Sequence, residues 1–87
     1  MSSVTIRYFA GARAAAGTDS EVLPLPSGRP CTVDDVLRSL SERHGPVLAK
    51  VLAACSFLLD ETAVRSRDAV VPSSGAVLDV LPPFAGG

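Results

Sequence analysis

The sequence predicts an α+β domain: a mixed sheet of four to five strands with one main helix packed on one face. Three observations predict it. Short runs rich in β-branched and aromatic residues recur from the start of the chain to near its end. One segment combines a helix-capping signal with apolar residues at helical spacing. The last run, Ala76 to Leu81, is nearly continuous in apolar residues, as expected for a strand buried on both faces in mid-sheet. A helix laid across one face of such a sheet covers its apolar side and gives a two-layer domain.

The elements follow in order. In Val4-Thr5-Ile6-Arg7-Tyr8-Phe9, Val4, Ile6 and Tyr8 share one face and Thr5, Arg7 and Phe9 the other, the period-2 signature of a strand. Gly11 to Gly17 is alanine-rich between glycines and predicts a short helix of about two turns. Glu21 to Leu25 reads as a strand, and Pro24, which cannot donate to a ladder, places it at a sheet edge. Pro26 to Pro30 is loop by composition. Thr32 and Asp35 then form a capping box ahead of Val33, Val36, Leu37 and Leu40, and Gly45-Pro46 ends that helix. Arg38 and Glu42, four apart, are expected to pair on its exposed side. Val47 to Ala54 predicts a second helical turn, Ser56 to Asp60 a strand, Asp60-Glu61 a turn into a short strand at Thr62 to Val64, and Arg65 to Gly75 mostly loop. The first and last strands are expected to be parallel neighbours, since the connection between them carries the helix that parallel pairing requires. This puts the segment after Leu81 at the end of a rigid central strand.

Composition narrows the function classes. Eighty-seven residues, 47% hydrophobic and 20% charged with a net charge of −1, describe one domain over residues 1–87. A chain of this size hides only roughly 60–65% of its unfolded surface, which argues against a large internal cofactor cavity. Eight basic against nine acidic residues give little field for gripping nucleic acid. No apolar run approaches the roughly 18 to 20 residues of a membrane helix, and the first residues lack a secretory pattern, so a cytoplasmic location is expected. Cys31 and Cys55 are too far apart in sequence for a close-spaced metal or redox motif. In a reducing compartment they are expected to be buried thiols. His44 is the single histidine, and its place before Gly45-Pro46 predicts a structural role at a helix C-terminus. No metal site and no bound cofactor are expected.

The ending carries the strongest functional signal. Pro82 and Pro83 remove two backbone donors and favour extended geometry, so strand pairing is expected to stop there. Phe84 is a large ring just past that stop, and Ala85-Gly86-Gly87 shrinks to nearly bare backbone. A flexible tail over about 82–87 is therefore expected, reaching roughly 16 Å from the body when extended. A frayed terminus is the plain alternative, but a stiff spacer and an apolar anchor have no purpose on a dangling end. Bare glycines let a carboxylate thread a channel too narrow for side chains. The reactive group at the tip is the Gly87 carboxylate, ionised at neutral pH and a poor electrophile until activated, most simply as a mixed anhydride with AMP. The chain has no phosphate-binding loop, so the ATP used would be bound by an activating partner.

Val4 to Ala10, the Arg13 to Thr18 stretch, the Thr32-Val33 helix opening and the ending Leu81-Pro82-Pro83-Phe84-Ala85-Gly86-Gly87 together resemble the small subunits of molybdopterin synthase. These are ubiquitin-like sulfur carriers of the β-grasp fold. The resemblance spans nearly the whole chain, and Pro-Pro-x-x-Gly-Gly is its most specific part. It implies that the Gly87 carboxylate is adenylated by an E1-like enzyme with ATP and converted to a thiocarboxylate. The tail then enters the large subunit of the synthase and donates sulfur toward the molybdopterin dithiolene. It also implies that Phe9 and Leu81 match apolar positions that contact partners, while Gly86 and Gly87 match the functional tail. For Phe9 and Leu81 ordinary sheet packing is the alternative, because strand alternation alone does not say which face is inward. The chain departs from the family at Ser56 to Glu61, where many members carry an Asn-bearing turn, so no partner contact is carried over there.

Three rival readings share the ending. A sulfur carrier for thiamine or cysteine biosynthesis uses the same tip chemistry, though such carriers usually lack the paired prolines. A protein modifier would lose the activated Gly87 to a lysine amine; Lys50 is the single lysine here, which disfavours chains built on itself. A plain interaction domain would have no chemistry in its tail.

Overall fold

The computed structural model describes residues 2–26 and 28–83. Strand β1 spans Ser3–Tyr8, helix α1 Gly11–Ala16, β2 Ser20–Pro24, α2 Val33–His44, α3 Pro46–Ala54, β3 Ser56–Leu59, β4 Thr62–Ala63 and β5 Ala76–Leu81. The five strands form one sheet in the order β2-β1-β5-β3-β4. β1 and β5 are parallel neighbours, with Val4 opposite Ala76 and Tyr8 opposite Val80, and the other pairings are antiparallel. The mixed sheet, the edge position of the proline-bearing β2 and the central β5 agree with the reading from sequence.

Alternation decides what is buried. Val4, Ile6 and Tyr8 of β1, Ala76, Leu78 and Val80 of β5 and Phe57 of β3 lie in the core beneath the helices. From α2 come Val33, Val36, Leu37 and Leu40, and from α3 Leu48 and Leu52. The capping box forms in full: the Thr32 hydroxyl accepts from the Asp35 amide at 3.2 Å, and the Asp35 carboxylate accepts from the Thr32 amide at 3.0 Å. Pro46 occupies the first turn of α3, where its missing donor costs nothing. Asp60 and Glu61 both take positive φ, 48° and 68°, as a two-residue hairpin turn between β3 and β4 requires.

Two details differ from the sequence reading. Arg38 pairs with Asp34, one turn toward the N-terminus at 2.7 Å, and not with Glu42. A carboxylate in the first turn also meets the positive end of the helix, so Asp34 is the better-placed partner. The loop after β4 contributes to the core: Val71 is buried, its amide donates to the Cys31 carbonyl at 2.7 Å, and Val70 bridges Thr32. Cys31 is buried and Cys55 half-buried, both as free thiols. Burial pushes both thiols up from their ordinary range. No helix among the described residues is long and apolar enough to cross a membrane.

Candidate functional site

The parallel pairing of β1 and β5 brings both strands to their ends side by side, and that end of the sheet is where the chain departs through Pro82 and Pro83. Leu81 is the last paired residue, opposite Ser56 of β3. Pro82 is half-buried and Pro83 exposed, both outside the ladder. Phe9 follows β1 directly, and its amide donates to the Val80 carbonyl at 3.3 Å. Phe9 is 36% exposed, a large apolar residue left unburied in a domain with only three phenylalanines. Phe9, Ala10, Gly11, Ser56, Leu81, Pro82 and Pro83 line an open, mostly apolar groove of about 600 Å³. Further hollows among the described residues are smaller, at 200–240 Å³ each.

The structure therefore brings together Phe9, Leu81, Pro82 and Pro83 and leaves neither apolar residue of the pair in the core. Phe84, Ala85, Gly86 and Gly87 lie outside the described residues. Ala10, Gly11 and Ser56 are lining residues that the sequence reading did not single out. Ala10 has φ 51° and ψ −125°, a conformation that side-chain-bearing residues rarely adopt, and it opens α1 without a side-chain cap. Nothing in an alanine signals this; Gly11 immediately after it was the nearest hint of an unusual turn.

Two polar clusters lie on the two faces of the sheet. On the helix side, Glu21 accepts from the Tyr8 hydroxyl at 2.7 Å, from Arg43 Nη1 at 2.7 Å and from His44 Nε2 at 2.5 Å. A carboxylate only accepts, so the His44 Nε2 carries a proton. The imidazole also meets the Tyr8 ring edge-on, with centroids 6.2 Å apart. Burial alone would push Glu21 up; the donors Tyr8, Arg43 and His44 outweigh it and hold the carboxyl below its ordinary value. Burial first, then the bond to Glu21, drives the Tyr8 phenol far above its usual range. His44 thus has the structural place expected of it, with a carboxylate partner as well as a helix end. On the opposite, open face of the sheet, Arg7 Nε and Nη2 donate to Asp79 Oδ1 and Oδ2 at 2.5 and 2.8 Å. The hydrogen bonds and the charge of Asp79 raise the Arg7 pKa further. Among the described residues no group of three or more His, Cys, Asp or Glu side chains is arranged to hold a metal ion.

The model of the ThiS family matches residues 6–87. The chain belongs to the ThiS family. A curated relative, the molybdopterin synthase sulfur carrier subunit of Chlamydomonas reinhardtii, is 30% identical over 84 residues, 97% of this chain and 98% of the relative. The small archaeal modifier protein 1 of Methanosarcina acetivorans superposes with a TM-score of 0.77 at 27% identity, covering 100% of this chain and 98% of its own. A chain in the complex of subunits 1 and 2 of the molybdopterin-converting factor from Helicobacter pylori has the same fold, with a TM-score of 0.67 at 16% identity over 98% of this chain and 99% of that one. The ThiS-family fold of this chain is thus the ubiquitin-like β-grasp of the sulfur carriers.

Proposed function

We propose that this protein is the sulfur carrier subunit of a molybdopterin synthase, with the Gly87 carboxylate as the group that carries the sulfur. The observation that carries the reading is the ending Pro82-Pro83-Phe84-Ala85-Gly86-Gly87, attached to a family member 30% identical to such a subunit. In the reaction an E1-like enzyme binds ATP, and a Gly87 carboxylate oxygen attacks the α-phosphorus and expels pyrophosphate. A sulfide-level sulfur then displaces AMP from the acyl carbon, leaving a C-terminal thiocarboxylate. Inside the large subunit of the synthase the carbon–sulfur bond to the carrier is hydrolysed once the sulfur has joined the pterin precursor, which regenerates the carboxylate. The chain alone is not catalytic; it is the sulfur-donating part of a transferase. Phe9, Leu81, Pro82 and Pro83 form the docking surface at the root of the tail, and Phe84 to Gly86 make up the segment that enters the partner.

Incubation with ATP, the activating enzyme and sulfide, followed by intact-mass measurement, tests the reading. The expected product is heavier by the difference between sulfur and oxygen. A chain lacking Gly87 is expected to gain nothing while melting at the same temperature. No mass gain in the intact chain would overturn the proposal. The likeness to the archaeal modifier gives a second reading, conjugation to lysine amines, which the same experiment would reveal as higher-mass adducts when cell protein is added.

A further inference from the structure

Asp79 is the one charged residue buried among the described residues, 5% exposed in the middle of the central strand, and it lies on the open face of the sheet. Val77 and Leu81 of β5, Leu58 of β3 and Val22 of β2 share that face with it. A carboxylate there costs stability unless it is paired, and Arg7, its direct neighbour on β1, supplies the pair. The guanidinium is held on two sides, by the Asp79 fork and by the Phe9 ring, whose centre lies 6.0 Å from the guanidinium carbon. Of its five N–H groups Asp79 takes two. The other three make no hydrogen bond among the described residues, and the Arg7 side chain is 49% exposed. A rigid donor edge therefore stands beside Phe9, which in turn lines the groove where the chain leaves the sheet.

We infer that Arg7, clamped by Asp79, is a specificity-determining residue of the partner surface, reading main-chain carbonyl oxygens on the large subunit that covers Phe9 and Leu81. This rests on the proposed function above. Covering the face strips water from the three unbonded N–H groups, so a partner without acceptors at that point leaves them unpaired and binds weakly. The pair is already neutral, and Glu61 adds negative charge near Arg7, so neutral carbonyl oxygens suit the edge better than a further carboxylate. The clamp also removes most of the side-chain freedom that an arginine otherwise loses on binding.

The test measures affinity for the large subunit of the same organism by calorimetry. Three chains are compared: the wild type, Arg7→Met/Asp79→Leu and Arg7→Lys. The double variant replaces the pair by apolar groups of similar size, a change that usually leaves a fold intact. The lysine variant keeps the charge opposite Asp79 but loses the planar edge. Both are expected to bind at least about tenfold more weakly, as for one or two hydrogen bonds lost at a covered site. The ratio to wild type is expected to hold between about 0.1 and 0.5 M salt, because no net charge is being read. Undiminished binding by both variants overturns the inference and leaves the proposed function standing. A loss that salt erases also overturns it, because the contact would then be to a carboxylate. Failure of the wild type itself to bind removes the underlying reading and this one with it.

Discussion

Tyr8→Phe removes one oxygen from the core and nothing else. The ring stays in place, 1% exposed and edge-on to His44, so no cavity opens. What is lost is the 2.7 Å bond from the phenol to Glu21 Oε2. A hydrogen bond to a charged acceptor contributes about 1.5–3 kcal/mol. Glu21 keeps Arg43 and His44 as donors, and its side chain is 14% exposed, so water can reach part of it. These two facts favour the lower end, about 1.5 kcal/mol. For a domain of this length each kcal/mol moves the melting temperature by roughly 4–8 °C, so a fall of about 6–12 °C is expected at pH 7. The phenol is protonated throughout the neutral range, so its loss changes no charge. Thermal melts followed by circular dichroism measure the difference. As the pH falls through the lowered folded value of Glu21, the carboxyl gains its own proton and the bond loses its charged acceptor, so the gap between the two proteins should narrow. Equal melting temperatures at pH 7, or a gap indifferent to acid, would show that the Glu21 cluster does not hold β1 and β2 to α2 as argued.

Other outcomes follow from the same geometry. Because Glu21 is held below its unfolded value, its contribution is complete above about pH 4.3 and is lost as the pH falls through the folded value; urea midpoints measured against pH should show this loss, and Glu21→Gln should flatten it. Ala10→Gly relieves a backbone conformation that costs about 1–3 kcal/mol for alanine, against about 0.5–1 kcal/mol of added chain entropy, so the variant should be more stable by about 1 kcal/mol in urea denaturation; a less stable variant would contradict the strained geometry at Ala10. Thr32→Ala deletes the N-cap of α2 and is expected to cost about 1 kcal/mol, readable as a lower melting temperature, whereas an unchanged melt would mean that the cap is dispensable.

The pattern of single residues explains what could be read before any coordinates. Alternation in Val4 to Tyr8 places β1 and its buried face, the Thr32/Asp35 pair sets the first turn of α2, and the unbroken apolar run of β5 marks the middle of the sheet. Each of these signals lies within a few positions of the chain. What stayed hidden depends on distant partners. Arg7 and Asp79 are 72 positions apart, and neither a lone arginine on a strand nor a lone aspartate in an apolar run names the other. Glu21, Arg43 and His44 likewise meet only once β2 lies beside the end of α2. At the candidate site the prolines were legible because donor-free residues stand out at a strand end, whereas Phe9 and Leu81 came from the family resemblance, since alternation alone does not say which face is inward. Ala10 and Ser56 were not legible, since their part is to be small beside a groove.

The two neighbouring strands β1 and β5 at the centre of the sheet come from distant parts of the sequence. Until β5 leaves the ribosome, Val4, Ile6 and Tyr8 have no parallel neighbour, and β3 has nothing to join it to β1. Closure across so long a stretch of sequence makes folding comparatively slow and leaves partial products with exposed apolar strands. The same arrangement makes the position of Leu81, and with it the exit of the chain through Pro82 and Pro83, depend on every strand before it, because β5 is held only by β1 on one side and β3 on the other.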